Sequence, residues 1–343
     1  MIRLYAEQLD AKLQESLGRC YFLFGNEPLL LQESQSCIRS CAQNQQFEEH
    51  VSITLDATTD WYAIFSLCRE RSLFARRQTL LLILPENGLQ APMGDKLLEL
   101  ISLLHEDLLL IVRGNKLTRS LENSRWFKAL SAQAVLVRCI TPEQEELSHW
   151  VANRAKSMHL TLDDVVCQTL CYYYENNLLA LAQVLERLSL IYPDGYLTLP
   201  RVKGTLNDSA HFTPFHWVDA AIAGRNKRAM RILWHLQIES AQPALLLRSM
   251  QHEVLQLLTF KRNLHAVPIG RLFDRHKVWQ NRRPLLTLAL ERLTFSQLRK
   301  AVALMVHIEL ALKQDYDYSI WSNLNALALL LCGNTLPTGA LDD

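Results

Sequence analysis

The chain has 343 residues, 49% of them hydrophobic, and its formal net charge is +1. This size allows about two or three domains with cores of their own, and no apolar run reaches the roughly 18 residues that span a bilayer. The amino terminus also lacks the apolar core of a signal peptide, so the sequence predicts a cytoplasmic protein without a membrane contact.

The first 140 residues alternate between strand and helix patterns. Short runs of branched residues and leucine, typical of strands buried on both faces, lie at residues 20–25, 51–55, 80–84, 108–113 and 135–139. Helical patterns lie between them, at residues 28–43, 61–68, 95–105 and 122–131. The alternation predicts an α/β domain over residues 1–140, with a mainly parallel sheet and helices on both of its faces.

The turn after the first predicted strand lies where a P-loop ATPase would bind phosphate. Such a loop needs several glycines, a lysine for the phosphates, and a serine or threonine for magnesium. The turn Gly25-Asn26-Glu27-Pro28 has one glycine, no lysine and a carboxylate that would repel a triphosphate. The sequence therefore predicts no ATP site here and no catalytic residue.

Two large apolar residues, Leu73 and Phe74, stand among polar and cationic neighbours just before the strand at residues 80–84. Two interpretations are open. In the first, a helix end tucks both side chains under the sheet, which is the usual location of Leu and Phe. In the second, they form an exposed apolar plug that enters a pocket on another protein.

Beyond residue 140 the strand pattern ends and helices follow. Thr141 is predicted to be the N-cap of the first one, because Pro142 follows at the first helical position and Gln144 at capping-box spacing. Helices are predicted at residues 143–158, 162–174 and 178–192, with a shorter one after residue 200. These elements predict a small helical domain over residues 141–210.

A larger helical domain is predicted for residues 211–343, and it carries an excess of positive charge. It holds 16 lysines and arginines against 10 aspartates and glutamates. Within it, Lys277, Arg282 and Arg283 surround Trp279. Cations around an aromatic ring suit phosphates and a stacked base, so the cluster predicts DNA binding. The alternative is a basic surface with a half-buried tryptophan.

Metal and disulfide sites are not predicted. The eight cysteines lie within predicted strands and helices of a long chain without a secretory signal, so they do not resemble a disulfide framework. Cys37 and Cys41 are four residues apart, as are Cys167 and Cys171, but neither pair has Cys-x-x-Cys spacing. The sequence predicts no metal and no cofactor.

Several motifs resemble the delta-subunit family of bacterial clamp loaders and follow one another in the order typical of that family. They are the turn and helix start after the first strand (residues 25–33), the run before the leucine-rich strand (residues 72–78), and two stretches of the larger helical domain (residues 212–220 and 242–248). The resemblance extends over residues 2–332.

This resemblance implies an AAA+-like parallel α/β domain, a helical lid domain and a helical collar domain. It implies a component of the DNA polymerase III holoenzyme that binds and opens the sliding clamp for loading on primed DNA, without a catalytic site of its own. Leu73 and Phe74 would contact the clamp, and Tyr316 would lie at the primer-template junction.

The partners implied by the resemblance are the beta sliding clamp, the gamma or tau and delta prime subunits in a hetero-pentameric ring, and primed DNA. Two other functions stay open at this point. One is an ATPase in its own right, and the other is a degenerate AAA+ subunit that acts mainly as a nucleic-acid-binding scaffold.

Overall fold

The chain divides into two compact units, Met1–Ser209 and Ala210–Asp343. The computed structural model describes residues 1–69, 77–86, 88–89, 91–206, 209–313 and 320–334. The first unit has a mixed α/β architecture with a parallel sheet, and the second is built from helices. The predicted fold class, α/β followed by all-α, is confirmed. A further boundary near residue 141 stays a prediction.

The first unit is organised around a six-stranded sheet in which each adjacent pair is parallel. Its strands, in chain order, are β1 (Ile2–Tyr5), β2 (Cys20–Phe24), β3 (Phe47–Thr54), β4 (Arg77–Ile83), β5 (Leu108–Gly114) and β6 (Ala134–Arg138). Their order across the sheet is β1-β6-β2-β5-β4-β3. A parallel sheet requires a crossover between consecutive strands, and helices supply it here.

The helices of the first unit, in chain order, are α1 (Leu9–Glu15), α2 (Pro28–Asn44), α3 (Trp61–Arg69), α4 (Ala91–Ile101), α5 (Arg119–Asn123), α6 (Arg125–Ser131), α7 (Gln144–Ser157), α8 (Asp164–Tyr173), α9 (Leu178–Ile191) and α10 (Leu199–Lys203). Two short strands, β7 (Thr161–Leu162) and β8 (Tyr196–Leu197), pair in parallel between these helices. Their pairing joins the segment before α8 to the segment after α9.

Both faces of the sheet are covered, as β2 illustrates. Tyr21 and Leu23 project into a core that contains Ile38 of α2. Phe22 projects to the opposite face, where its ring stacks on that of Phe127 with the centroids 4.6 Å apart. Because neither face of the strand meets solvent, its sequence is apolar without interruption.

Several element boundaries differ from the predictions. The edge strand β1 was not predicted, because it pairs on one side only and mixes exposed and partly buried residues. Residues 122–131 were predicted as one helix but belong to α5 and α6, which are separated at Ser124, where the backbone is extended. The helix predicted at 95–105 is α4, which begins at Ala91 and ends at Ile101.

The second unit contains seven described helices around one core. In chain order they are α11 (Pro214–Ile222), α12 (Asn226–Ile238), α13 (Pro243–Asn263), α14 (Ile269–Arg275), α15 (Arg283–Arg292), α16 (Phe295–Lys313) and α17 (Ile320–Leu331). Trp217, Phe260 and Leu324 are fully buried in the core. These helices pack through apolar stripes at helical spacing, which is the arrangement that the sequence predicts for this region.

Arg292 joins the ends of two helices in this unit. Its guanidinium donates to the carbonyl oxygen of Ile222, the last residue of α11, and to that of Leu331, the last residue of α17, at 3.2 Å. Helix C-termini leave carbonyls without intrahelical partners and carry partial negative charge. The chain then leaves each end through a glycine with positive φ, Gly224 and Gly333, and both glycines lie against the Arg292 side chain.

Replacing Arg292 by Met should destabilise the second unit by about 3 kcal/mol, because two carbonyls lose a charged donor. Arg292→Lys should recover only part of the lost stability. An ammonium keeps the positive charge but lacks the planar fork that reaches both carbonyls. Urea denaturation followed by tryptophan fluorescence measures the change. Arg299→Met, at an exposed position of α16, is the control and should cost less than about 0.5 kcal/mol. Equal midpoints for the two Met variants would contradict the role of Arg292.

Candidate functional site

The turn after β2 is closed by the end of β5 and by Cys139, which follows β6. The Gly25 N–H donates to the carbonyl oxygen of Gly114 at 3.2 Å, and the Glu27 N–H donates to that of Cys139 at 3.0 Å. A Cβ on Gly25 would lie 1.7 Å from the Cys139 carbonyl oxygen. This glycine therefore serves the close approach of two backbone segments, and the turn differs from a loop that cradles phosphate.

Glu27 occupies the start of α2, where a P-loop protein would hold phosphate. Its side chain is buried and accepts hydrogen bonds from the Leu29 N–H at 3.4 Å and from the Thr141 hydroxyl at 2.9 Å. Burial raises the pKa of the Glu27 carboxyl, although both hydrogen bonds act in the opposite direction. The Glu27 carboxylate thus takes the place that an anionic ligand would have at the N-terminus of α2.

The prediction that Thr141 is an N-cap was wrong. Helix α7 begins at Gln144 with Glu143 as the preceding residue. The Thr141 hydroxyl donates to Glu27 instead, and Asn26 adds two more hydrogen bonds to Thr141, at 3.2 and 3.3 Å. A long-range partner therefore takes the hydroxyl that the local sequence pattern assigned to the helix.

Leu73 and Phe74, the predicted clamp contacts, lie outside the described residues, and so does Tyr316. The elements that flank Leu73 and Phe74 in the sequence are described. Helix α3 ends at Arg69, and β4 begins at Arg77 at the amino edge of the sheet. This is the edge opposite to the Glu27 turn, which follows the carboxyl end of β2.

Gln78 links β4 to α3, and it was not among the site residues predicted from the sequence. Its side chain is buried, and its amide nitrogen donates to the carbonyl oxygen of Leu67 in α3 at 2.7 Å. Its backbone N–H donates to the Asp107 carbonyl oxygen at 2.9 Å. The neighbouring Arg77 lies over the Phe47 ring, 5.4 Å from its centroid. The sequence signal that could have identified Gln78 is its polar side chain next to the leucine-rich part of β4.

The structure divides the predicted DNA-binding cluster into two pairs. Trp279 is 76% exposed, and Lys277 is exposed beside it. Arg282 is partly buried and pairs with Asp219 at 2.8 Å and Glu253 at 3.0 Å. The second partly buried cation is Arg283.

Arg283 is held in place within its own segment. It pairs with Asp274 at 2.7 Å and donates to the Val278 carbonyl oxygen at 3.2 Å. The charges of Arg282 and Arg283 are thus balanced by nearby carboxylates, whereas Lys277 and Trp279 face solvent. This difference could not be predicted from the sequence, because Asp219 and Glu253 belong to other helices.

The buried cysteines have a structural role. Burial raises the pKa of the Cys20 thiol to about 12 and that of Cys68 to about 11, so both side chains behave as small apolar groups. In the described ranges, no three His, Cys, Asp or Glu side chains are grouped as a metal site. None of the described helices combines the length and hydropathy of a membrane span.

Comparison with protein families identifies two matching regions. Residues 21–140 match the family described as DNA polymerase III, delta subunit. Residues 214–338 match the family described as processivity clamp loader gamma complex DNA pol III C-term. Together they account for well over half of the chain.

Individual proteins give the same result. The chain is 57% identical over 342 residues to the DNA polymerase III subunit delta of Escherichia coli (strain K12), with 100% of both chains covered. It is 41% identical over 344 residues to the same subunit of Haemophilus influenzae, covering 97% of this chain and 100% of the relative. The solved structure of the Bacillus subtilis DNA clamp loader delta protein has a TM-score of 0.54 at 16% identity, covering 96% of this chain and 100% of the other, and shows a shared fold.

Gly25→Ala should destabilise the first unit by about 3 kcal/mol or more, because its Cβ would meet the Cys139 backbone and could be accommodated only by moving β6 away from the turn. Gly270→Ala is the matched control, since a Cβ there meets nothing within 4 Å and the position lies in α14. The control should be neutral or slightly stabilising. Thermal unfolding of both variants measures the difference, and equal melting temperatures would show that the turn tolerates a side chain.

Proposed function

The chain belongs to the DNA polymerase III delta-subunit family, and we propose that it is the clamp-loader subunit that binds and opens the sliding clamp for loading on primed DNA, without catalysis of its own. As a delta subunit it is a component of the clamp loader. The observation that supports the proposal is made on the residues flanking the predicted clamp contacts Leu73 and Phe74, where Gln78 is hydrogen-bonded to Leu67 of α3 and Arg77 donates to the Gln45 carbonyl oxygen.

Clamp opening would follow from differential binding. Leu73 and Phe74 are each worth roughly 1.5 to 3 kcal/mol if a partner pocket buries them fully. This energy opens a ring only if it is larger for the open interface than for the closed one, because a ligand that binds both states equally shifts neither. The residues after the run support this action, since Gln78 of β4 is hydrogen-bonded to Leu67 of α3 and Arg77 lies over the Phe47 ring.

The closed turn at Gly25 supports a role without nucleotide hydrolysis. Glu27 already fills the first turn of α2, and the end of β6 packs against the turn. The energy that controls clamp opening would then come from ATP bound by sister subunits. A carboxylate at this position would oppose a triphosphate on electrostatic grounds.

DNA contact is proposed for the second unit through Trp279 and Lys277, with Arg282, Arg283 and Tyr316 as further contacts. The exposed indole offers a face for a base, and the lysine offers a charge for phosphate. Arg282 and Arg283 would contribute while sharing their charge with carboxylates. Their contribution per residue should therefore be smaller than that of Lys277.

The proposed domains are a clamp-binding α/β domain at residues 1–140, a lid at 141–210 and a collar at 211–343. The collar would join the gamma or tau and delta prime subunits in a hetero-pentameric ring. The beta clamp and primed DNA would complete the assembly in the cytoplasm. This organisation is supported by the family membership of both matched regions.

A nucleic-acid-binding scaffold is the second candidate function. The charge excess of residues 211–343 favours it, with 16 cationic against 10 acidic residues. A pull-down with the isolated chain separates the two candidates. The clamp-opening subunit captures sliding clamp without DNA, whereas a scaffold captures DNA and leaves the clamp in solution.

Changing both Leu73 and Phe74 to Ala should reduce clamp affinity at least about thirtyfold, since truncating an apolar anchor costs about 2 kcal/mol or more. Surface plasmon resonance with immobilised clamp measures the affinity. Tyr62→Ala, which removes an 80% exposed aromatic ring from α3, is the control and should bind like the parent. A large fall in melting temperature with unchanged affinity per folded molecule would instead place both residues in the core.

The isolated chain should release no inorganic phosphate from Mg-ATP above a blank without protein. The reason is the Gly25 to Pro28 turn, which has neither the lysine nor the hydroxyl residue of a P-loop. A coupled phosphate assay over hours gives the sensitivity required. Turnover that persists through purification and disappears in the Glu27→Ala variant would establish an active site at the turn.

The double variant Lys277→Ala and Trp279→Ala should weaken binding of primed DNA by the assembled loader. The slope of log affinity against log salt should fall by about 0.9, the value for one lost phosphate contact. Lys300→Ala, which removes one exposed charge from α16, serves as the control. If the double variant retains both affinity and slope, the cluster is a solvated surface.

A further inference from the structure

A cavity of about 620 Å³ opens at the carboxyl edge of the sheet, next to the turn after β2. Phe24, Leu136 and Ile140 form its apolar walls. Leu136 alternates along β6 with Val135 and Val137, which pack in the core shared with α2, so the cavity lies on the opposite face of the sheet. Crevices at the carboxyl edge of parallel sheets are favoured ligand sites in open α/β folds.

The edge strand β1 extends this face of the sheet. Arg3 is in register with Leu136, and Tyr5 is in register with Arg138. Paired residues of neighbouring strands project to the same side. The Arg138 guanidinium lies 5.4 Å from the centroid of the Tyr5 ring, which is half exposed. A cation and an aromatic ring therefore stand together beside the cavity.

The lining is cationic. Arg3, Lys116 and Arg138 face a single acidic residue among those that line the cavity, Glu122. Arg3 donates to Glu122 at 3.0 Å, which balances that pair. In the ranges that the structure describes, no carboxylate forms an ion pair with Lys116 or Arg138. Two unbalanced cations above apolar walls produce a focused positive potential.

We propose that this cavity binds the phosphate backbone of single-stranded nucleic acid, with Lys116 and Arg138 as the phosphate contacts. The volume of about 620 Å³ suits a ligand of nucleotide size rather than a lone inorganic anion. Proteins bind single strands independently of sequence by combining cations along a concave surface with an aromatic ring on which a base stacks. The site belongs to the first unit and does not depend on the contact proposed for Trp279.

The test compares two double variants of the full chain that lose the same charge. Lys116→Ala with Arg138→Ala removes the two unbalanced cations, whereas Arg119→Ala with Lys128→Ala removes two exposed cations of α5 and α6 outside the cavity. Fluorescence anisotropy of a labelled oligothymidylate is measured over a range of salt concentrations. The first variant should bind more weakly, with the salt slope reduced by about 1.4, or about 0.7 for each phosphate contact. The second should bind like the parent.

An equal loss of oligothymidylate affinity in both variants, or no loss in either, would overturn the proposal. The cavity would then bind the strand no more tightly than any other cationic surface. Unchanged melting temperatures confirm that both variants fold. The comparison is repeated in a chain with Lys277→Ala and Trp279→Ala, where the loss caused by Lys116→Ala and Arg138→Ala should persist. If it vanishes, the strand was bound at Trp279 and the cavity is not a site.

Inorganic pyrophosphate provides the last arm of the test. Millimolar pyrophosphate should leave the melting temperature of the parent chain unchanged, because two cations in an open cavity do not enclose a small anion. A rise that depends on Lys116 and Arg138, combined with no oligonucleotide binding, would make the occupant a small anion. That outcome also overturns the assignment to nucleic acid.

Discussion

Parallel strand pairing is the constraint on which the first unit depends. All strands of the six-stranded sheet start at one edge and end at the other, so each connection must return across a face. The same rule sorts the segments with proposed functions. Arg77, which follows the predicted clamp contacts in the sequence, begins β4 at the amino edge, while the Gly25 turn and the cationic cavity lie at the carboxyl edge. About 20 Å of strand separates the two edges, so partners could bind at both without competing for space.

The Glu27 turn shows how a helix start can be satisfied from within the chain. In a phosphate-binding loop the ligand supplies negative charge to the helix N-terminus. Here the Glu27 carboxylate accepts from the Leu29 N–H, the Thr141 hydroxyl donates to that carboxylate, and the backbone of Cys139 lies against Gly25. The start of α2 is thereby satisfied by side chains of this chain.

The sequence predicted what burial alone determines and missed what depends on distant partners. Strands β2 and β5 were found because both of their faces are covered, which leaves an unbroken apolar run. The edge strand β1 has no such run. Thr141 was misassigned because its acceptor, Glu27, is more than one hundred residues away. Likewise, no local pattern could reveal that Arg282 meets Asp219 and Glu253. The roles of Leu73, Phe74 and Tyr316 stay predictions.

The bridge made by Arg292 has a consequence for the order in which the chain acquires its structure. Its two acceptors, Ile222 and Leu331, lie at the ends of the first and the last described helices of the second unit. A ribosome delivers Ile222 and Arg292 well before Leu331, so the bridge can form only after α17 has been synthesised. The first unit ends at Ser209, so its folding does not require the synthesis of α17. During synthesis, the α/β unit should therefore be ready to fold while the helical unit is still open.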